Sequence, residues 1–469
     1  MTERCDVLVT HGCVLTLDGA RTIYADGAVA IQGRDIVAVG RSRDVAARFA
    51  PTRTIDAGGA IVHPGFVEGH YHTTMHLTRA AITDDPSRPA VGGAAGATQR
   101  AIYSEWTNFI DDADEHASAS LALLEMAKAG YTCFTEPGTA FEPDIVAKAA
   151  QALGVRGSVA DPYLWDRAEG MQMATEIDRA PCDLGRALAL MGGELKRNAD
   201  PDALVRGHIG VYGSGSASVE LIRAAKDMAE RNNVAFTQHQ SFMPEAAARE
   251  KAAYGKSPLV HFAELGLLGP NVALTHMNAL DDDEIEVVAA SGTKIVWHPG
   301  NFMFYGLGAR CAQRMPELHA KGVSIALGND IAKLWAFGDL PFLAYLIARN
   351  HGHFVSAESV LEMATLGGAR ALGWQDIIGS LEPGKRADLV IRKAELAEAV
   401  PGVSPAFEAV LVQRAKGVDT VICDGKVIVA GGRSTRVDEG AILAQARASA
   451  RRLMAKTGLS TGAAWPVVN

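Results

Sequence analysis

The 469-residue chain has six cysteines, Cys5, Cys13, Cys133, Cys182, Cys311 and Cys423, and no two of them form a C-x-x-C pair. Thiols scattered through a long chain read as small buried residues of a reducing compartment, which excludes a disulfide scaffold and a cysteine-ligated metal site. Long apolar runs are missing too. None approaches the roughly 20 residues that span a bilayer, so no membrane role is expected. The opening Met-Thr-Glu-Arg-Cys-Asp lacks the basic-then-apolar layout of a secretory leader, and the expected location is the cytoplasm. There is no basic stripe, and the net charge of −9 argues against nucleic acid as a partner. Neither G-x-G-x-x-G nor G-x-x-x-x-G-K-[ST] follows the early strands, so nucleotide cofactors lose support.

What is present is apolar material, 48% of the chain, and 48 glycines, as expected where many tight turns join short elements. Both ends are β-rich. Ala28-Val29-Ala30-Ile31 and Ile36-Val37-Ala38-Val39 flank a short turn at Gln32-Gly33-Arg34, and Thr420–Cys423 and Lys426–Val429 flank Asp424-Gly425, a hairpin signal. Neither end makes a convincing core alone, so one small β-sandwich built from both termini is expected, over 1–60 and 375–437. A helix and tail follow over 438–469. Between them, short apolar runs at 61–62, 131–135, 155–160, 204–211, 234–237, 272–274, 294–297 and 324–327 mostly alternate with helical segments. The clearest helix spans 218–231, with Val219, Ile222, Ala225 and Ala229 on one face. Eight such runs over roughly 300 residues predict an α/β fold, a (β/α)8 TIM barrel over 61–374. Two long irregular stretches, about 78–111 and 161–200, are expected to wall the active site.

The chemistry begins at Pro64-Gly65-Phe66-Val67-Glu68-Gly69-His70-Tyr71-His72. Histidines two apart on a strand point the same way, so both imidazoles can reach one cation. An isolated His-x-His is as readily two ordinary strand-end residues. Context changes the balance: His239, His276 and Asp330 end the fifth, sixth and eighth predicted strands. In a barrel those ends converge on one face. Three imidazoles and a carboxylate suit one borderline divalent ion, zinc first, with iron or cobalt as alternatives, and leave a position for water.

These residues and the landmarks around them resemble the amidohydrolase superfamily, in the branch of cytosine deaminase, atrazine chlorohydrolase and the S-adenosylhomocysteine and guanine deaminases. The landmarks are Pro64-Gly65-Phe66-Val67 before His70-x-His72, Leu274-Thr275-His276-Met277-Asn278, Leu327-Gly328-Asn329-Asp330, Ala364-Thr365-Leu366-Gly367-Gly368-Ala369-Arg370, and Gly379-Ser380-Leu381-Glu382-Pro383-Gly384-Lys385-Arg386-Ala387-Asp388. The resemblance covers nearly the whole chain. It implies that His70, His72, His239 and Asp330 are metal ligands and that His276 contacts the hydroxide or the substrate's polarised oxygen. It also implies a mononuclear site, because 203–212 holds no lysine to carry a bridging carboxylate. A homo-oligomer is expected on the same ground. His63 falls outside the ligand pattern and is read as structural.

One departure bears on the reaction. The deaminases of this branch carry His-x-x-Glu after the fifth strand, and that Glu moves a proton to the ring nitrogen. Here the stretch reads His239-Gln240-Ser241-Phe242, and the nearest acid is Glu245. Phenylalanine moves no proton, whereas an amide or urea can be cleaved with an activated water and one base. The first expectation is therefore hydrolysis of an amide, urea, carbamate or thiocarbamate bond in a small apolar or aromatic substrate, near the phenylurea and thiocarbamate (molinate) hydrolases. Asp330 would act as base, and His276 as hydrogen-bond donor to the carbonyl oxygen. The alternative is a deaminase or dechlorinase of an aminated heterocycle, with Glu245 or water replacing the missing acid. A third reading, an inactive barrel kept as a scaffold, is disfavoured because all four ligands are present. Trp106, Phe242, Phe302, Phe304, Tyr305 and Trp335, with His298 after the seventh strand, are the candidate pocket lining, although each taken singly also fits plain core packing.

Overall fold

The computed structural model describes residues 2–82, 102–167, 177–213, 215–331, 334–402, 404–459 and 465. Parts of both predicted site walls, 83–101 and 168–176, and most of the predicted tail lie outside the described residues.

The chain starts with five strands, β1 (Glu3–Leu15), β2 (Ile23–Gln32), β3 (Asp35–Arg41), β4 (Phe49–Asp56) and β5 (Ile61–Pro64). β1 pairs antiparallel with β2 on one edge and parallel with β4 and then β5 on the other. Its register against β2 shifts on both sides of Gly12. A side chain there would put its Cβ 2.6 Å from Val62 Cγ2, so β5 can run alongside only because the position is glycine.

The barrel follows as β6 (Phe66–Glu68), β7 (Tyr131–Glu136), β8 (Arg156–Val159), β9 (Val205–Gly207), β10 (Ile209–Gly213), β11 (Phe236–Gln240), β12 (Val272–His276), β13 (Lys294–Trp297) and β14 (Ile325–Leu327). All neighbours are parallel, in two runs, β6 to β9 and β10 to β14. β9 and β10 form one interrupted fourth strand. The His208 N–H still donates to Val159 on the third strand (3.1 Å), and the Ile209 N–H donates to Ala235 at the start of the fifth (3.1 Å). At the other seam, Gly69 N–H donates to Leu327 (3.0 Å), Asp330 N–H to His70 (2.9 Å) and His72 N–H to Asp330 (2.9 Å), joining the eighth strand to the first. The predicted eight-stranded closure is thus present.

The expected first barrel strand is displaced. Ile61-Val62 lies in β5, which belongs to the terminal sheet, and the barrel begins four residues later at Phe66. Pro64-Gly65 makes the switch: Pro64 has no N–H to continue a ladder, and a Cβ on Gly65 would overlap the Thr132 side chain. One apolar run therefore serves two sheets.

The chain returns to the terminal sheet as β15 (Leu389–Arg392), β16 (Val418–Cys423), β17 (Lys426–Ala430) and β18 (Arg433–Ser434). β15 inserts between β5 and β16, so both termini share one nine-stranded hydrogen-bonded sheet around a core that includes Val9, Val29, Ile31, Val62, Leu389 and Ile422. Asp424 (φ 51°) and Gly425 (φ 74°) both take left-handed conformations, as a two-residue turn of this hand requires. Among the helices, Val219–Arg231 is capped by the Ser218 side chain and buries Leu221, Ile222, Ala225 and Ala229. The C-terminal helix Glu439–Thr457 is more than a solvated face. It packs on Asp112–Lys128 and on the turn Thr73–Ala80, and Arg452 ion-pairs with Asp111 (3.0 Å) and Asp114. Among the described residues, no helix is long and apolar enough to cross a membrane.

Barrel and sheet are pinned by buried charge. Arg156 on β8 reaches Asp388 through Nε (2.9 Å) and Nη2 (3.2 Å), and reaches Asp424 through Nη2 (2.7 Å). Arg156→Ala leaves Asp388 buried without its cation, which costs about 3–5 kcal/mol. Urea denaturation of the variant is expected to show that loss; a midpoint equal to that of the parent would mean the contact contributes nothing.

Candidate metal centre

The site is assembled where the barrel strands end. His70 and His72 continue β6 two residues apart, His239 lies in β11, His276 closes β12, and Asp330 follows β14. Tyr71 bridges to Asp330, so the carboxylate is placed by the hydrogen bonds that close the barrel. Several non-glycine residues here have left-handed backbones: Ser241 (φ 49°), His276 (φ 76°), Met277 (φ 55°) and Asp330 (φ 59°). Such conformations cost about 1–3 kcal/mol each and persist where surrounding structure imposes them, a pattern concentrated at functional sites.

The donor atoms converge. His72 Nε2 lies 3.2 Å from His70 Nε2, 3.3 Å from His239 Nε2 and 3.0 Å from Asp330 Oδ1. Hydrogen bonds on the far sides of two rings set their tautomers. His239 Nδ1–H donates to the Tyr212 carbonyl (2.7 Å). His72 Nδ1–H donates to Thr139 Oγ1 (2.8 Å), whose own proton goes to Glu136 Oε1 (2.7 Å). His70 Nδ1 meets Thr275 Oγ1 at 3.2 Å. Burial pushes His239 down to about 4 and His70 well below its usual range, so both rings are neutral at pH 7. Burial alone would raise Asp330, but the histidines around it hold it well below the usual carboxylate range.

Bare nitrogen lone pairs and a carboxylate oxygen therefore face one point, an arrangement that repels itself unless a cation sits there. The nitrogen spacings match it. Ligands about 2.0–2.1 Å from a tetrahedral centre lie about 3.3–3.4 Å apart. The residues fit one divalent ion, and the four could hold it together. Among the described residues, β9 and β10 carry no lysine that could bridge a second ion.

Around this set is a second layer that sequence reading missed. Asn301 donates to Asp330 Oδ2. Glu68, buried and pushed up to about 8 by that burial, accepts from Asn329 N–H (2.7 Å), from His70 N–H (3.3 Å) and from the Asn329 amide. Trp335 Nε1–H donates to Asn329 Oδ1 (2.9 Å). Glu68 was visible as an acid in an apolar strand run; nothing in the pattern marked Thr139, Thr275 or Asn301.

The predicted lining residues divide. Phe242 stacks on His276 (centroids 4.0 Å, 18°), and Tyr305 meets Phe242 edge-on (5.2 Å). His298 Nδ1 lies 2.9 Å from His276 Nδ1. Trp106 is buried with Tyr103, Tyr163, Trp165 and Tyr212 in an aromatic cluster, and the Tyr212 ring reaches His239 (4.9 Å). Phe302 instead packs into the main core against His351, and Phe304 packs edge-on to Tyr305. Trp335 acts through Asn329. Glu245 does not replace the missing acid: its side chain is 61% exposed and ion-paired with Arg310. His63 is structural, as expected, holding its Nδ1 against the Pro64 carbonyl (2.7 Å) and accepting from Arg392 Nε–H (2.9 Å).

Residues 61–428 match the model of the amidohydrolase family. The chain belongs to that family. A methylthioadenosine/S-adenosylhomocysteine deaminase of Syntrophobacter fumaroxidans is 30% identical over 96% of this amidohydrolase and 99% of its own length. A 5'-deoxyadenosine deaminase of Methanosarcina acetivorans is 28% identical over 96% and 99%. Among solved structures, an adenosine deaminase of Xanthomonas campestris with bound zinc superposes with TM-score 0.86 at 26% identity, covering 97% of this chain and 100% of that one. The atrazine chlorohydrolase of Arthrobacter aurescens TC1, complexed with zinc, gives 0.81 at 25% identity over 95% and 100%. This amidohydrolase is accordingly a hydrolase with a metal-binding site, and the relatives point to zinc.

Thr139→Val removes the acceptor that holds the His72 proton at Nδ1. Losing such a partner typically costs about 10–100-fold in metal affinity. Competition with a chromogenic chelator should show a zinc affinity lowered by that factor. An unchanged affinity would remove Thr139 from the design of the site.

Proposed function

We propose that this amidohydrolase hydrolyses a carbon–nitrogen bond at an sp2 carbon, displacing the amino group of a small aminated heterocycle of the adenosine type. The reading rests on one observation: the relatives that match this chain over nearly its full length are deaminases of such substrates, and this chain keeps the four converging donors and His276. It is the alternative, not the first expectation, that the relatives support.

When bound, the metal ion supplies Lewis-acid chemistry and a water acidic enough to react at neutral pH. The rest falls to the chain. His70, His72 and His239 would hold the ion. Asp330, kept anionic by its neighbours, accepts the attacking water's proton and returns it to the departing nitrogen. Asn301 fixes the carboxylate's orientation by donating to Oδ2. His276 hydrogen-bonds the oxygen on which charge develops. Phe242, Tyr305 and the aromatic cluster around Trp106 favour a flat, largely apolar substrate and exclude water. With Phe242 in place of a glutamate and Glu245 turned to solvent, Asp330, His276 and His298 are candidates among the described residues to carry a proton to a ring nitrogen.

A second reading has a specific observation behind it. Phe242 lies flat on His276 at the position where a deaminase of this branch has its acid, which suits an amide, urea, carbamate or thiocarbamate that needs no ring protonation.

The zinc-loaded protein should be assayed with 5'-methylthioadenosine, S-adenosylhomocysteine and 5'-deoxyadenosine beside N-aryl ureas, anilides, carbamates and thiocarbamates. Ammonia release is the expected result. Release of an organic amine or thiol instead would establish the second reading, and no turnover of either panel would overturn both. Asp330→Asn should lower kcat by about 10³-fold or more while leaving the circular dichroism spectrum unchanged; undiminished activity would remove Asp330 from its role. Phe242→Glu restores a carboxylate beside His276 and should raise ammonia release about tenfold or more. No gain would show that the position does not face the reacting nitrogen.

A further inference from the structure

We propose that His298 is a positioning residue for the reaction, acting through His276. It donates from Nδ1 to His276 Nδ1 and so holds the single proton of the neutral His276 ring at Nε2, ready to donate to the oxygen that adds to the reacting carbon.

The geometry carries the contact. The two Nδ1 atoms are 2.9 Å apart, the ordinary length of an N–H···N hydrogen bond, so one of them bears a proton and the other accepts it. A neutral His276 ring has one proton to place. What faces Nδ1 therefore decides whether Nε2 is a donor or an acceptor. Neither ring can swing away. Phe242 covers one face of His276, and the His298 ring crosses it edge-on (4.5 Å, 85°). His298 itself occupies space that Gly328 leaves open: a Cβ at that position would stand 2.6 Å from His298 Nε2. The glycine before Asn329-Asp330 is thus matched to a histidine on the neighbouring strand.

A different arrangement of the same atoms deserves exclusion. His276, His298 and Asp330 bring donor atoms within 4.8 Å of one another, as a second cation would require. The nitrogen spacing of 2.9 Å is shorter than the about 3.3 Å edge of a tetrahedral site, and Asp330 Oδ2 already accepts from Asn301. The contact is a hydrogen bond between rings.

The inference rests on the site being the catalytic centre, and its main readout needs no substrate. In zinc-loaded protein labelled with 15N-histidine, long-range nitrogen–proton correlations should show His276 as the Nε2–H tautomer, with its signals assigned by their loss in His276→Gln. In His298→Ala the same signals should shift toward a mixture of tautomers. With the substrate found above, His298→Ala should lower kcat about 10–100-fold with KM changed less than about threefold, and His298→Asn, whose amide can still donate, should recover most of that loss. Zinc should remain at one equivalent in every variant. An Nδ1–H tautomer of His276 in the parent protein, a kcat for His298→Ala within about twofold of the parent, or a second metal equivalent lost with His298 would each overturn the proposal. If no substrate is turned over, the function reading fails alone and the tautomer result still decides this one.

Discussion

The structure depends on bringing three imidazoles and one carboxylate to a common point away from water. Each part of that is unfavourable by itself. Buried lone pairs repel, and a buried anion loses hydration worth several kcal/mol. The chain answers locally. The Tyr212 carbonyl and the Thr139 hydroxyl each hold a ring proton on the far side of its histidine, and Asn301 holds the carboxylate. The same backbone segments close the barrel, since the Asp330 N–H and His72 N–H make the seam between the eighth and first strands. The residues that form the site thus also make the seam of the barrel.

That coupling explains what could be read in the sequence. His70, His72, His239, His276 and Asp330 stand out because barrel strands are short and their carboxyl ends meet, so a polar residue ending each apolar run is informative before any contact is known. Phe242 was equally legible as an aromatic where the family has an acid, and the stacking on His276 gives that substitution a physical meaning. The misplaced first strand has a simple cause. Ile61-Val62 and Phe66-Val67 are both apolar and buried, and only the proline and glycine between them show that the chain leaves one sheet for another. The break at His208 and the roles of Thr139, Thr275 and Asn301 left no trace, because they depend on which strands become neighbours and not on local pattern.

The surroundings of the site are asymmetric. On the side of His239, a continuous aromatic cluster runs from Phe141 through Tyr163 and Trp165 to Tyr212. On the side of His276, Phe242 and Tyr305 make a smaller aromatic corner. Polar function is concentrated between the two, in Asp330, Asn301, His276 and His298. Among the described residues, aromatic surface thus flanks the polar groups on both sides.

β5 and β6 are separated by a single residue, Gly65, so the terminal sheet begins only a few peptide units from His70 and His72. A barrel cut free of that sheet would start with Ile61–Pro64 bare along both edges, having lost β1 on one side and β15 on the other. An uncovered apolar strand of this kind recruits any chain that can pair with it. The terminal strands thus cover an apolar edge immediately before the first barrel strand, which ties the barrel to both ends of the polypeptide.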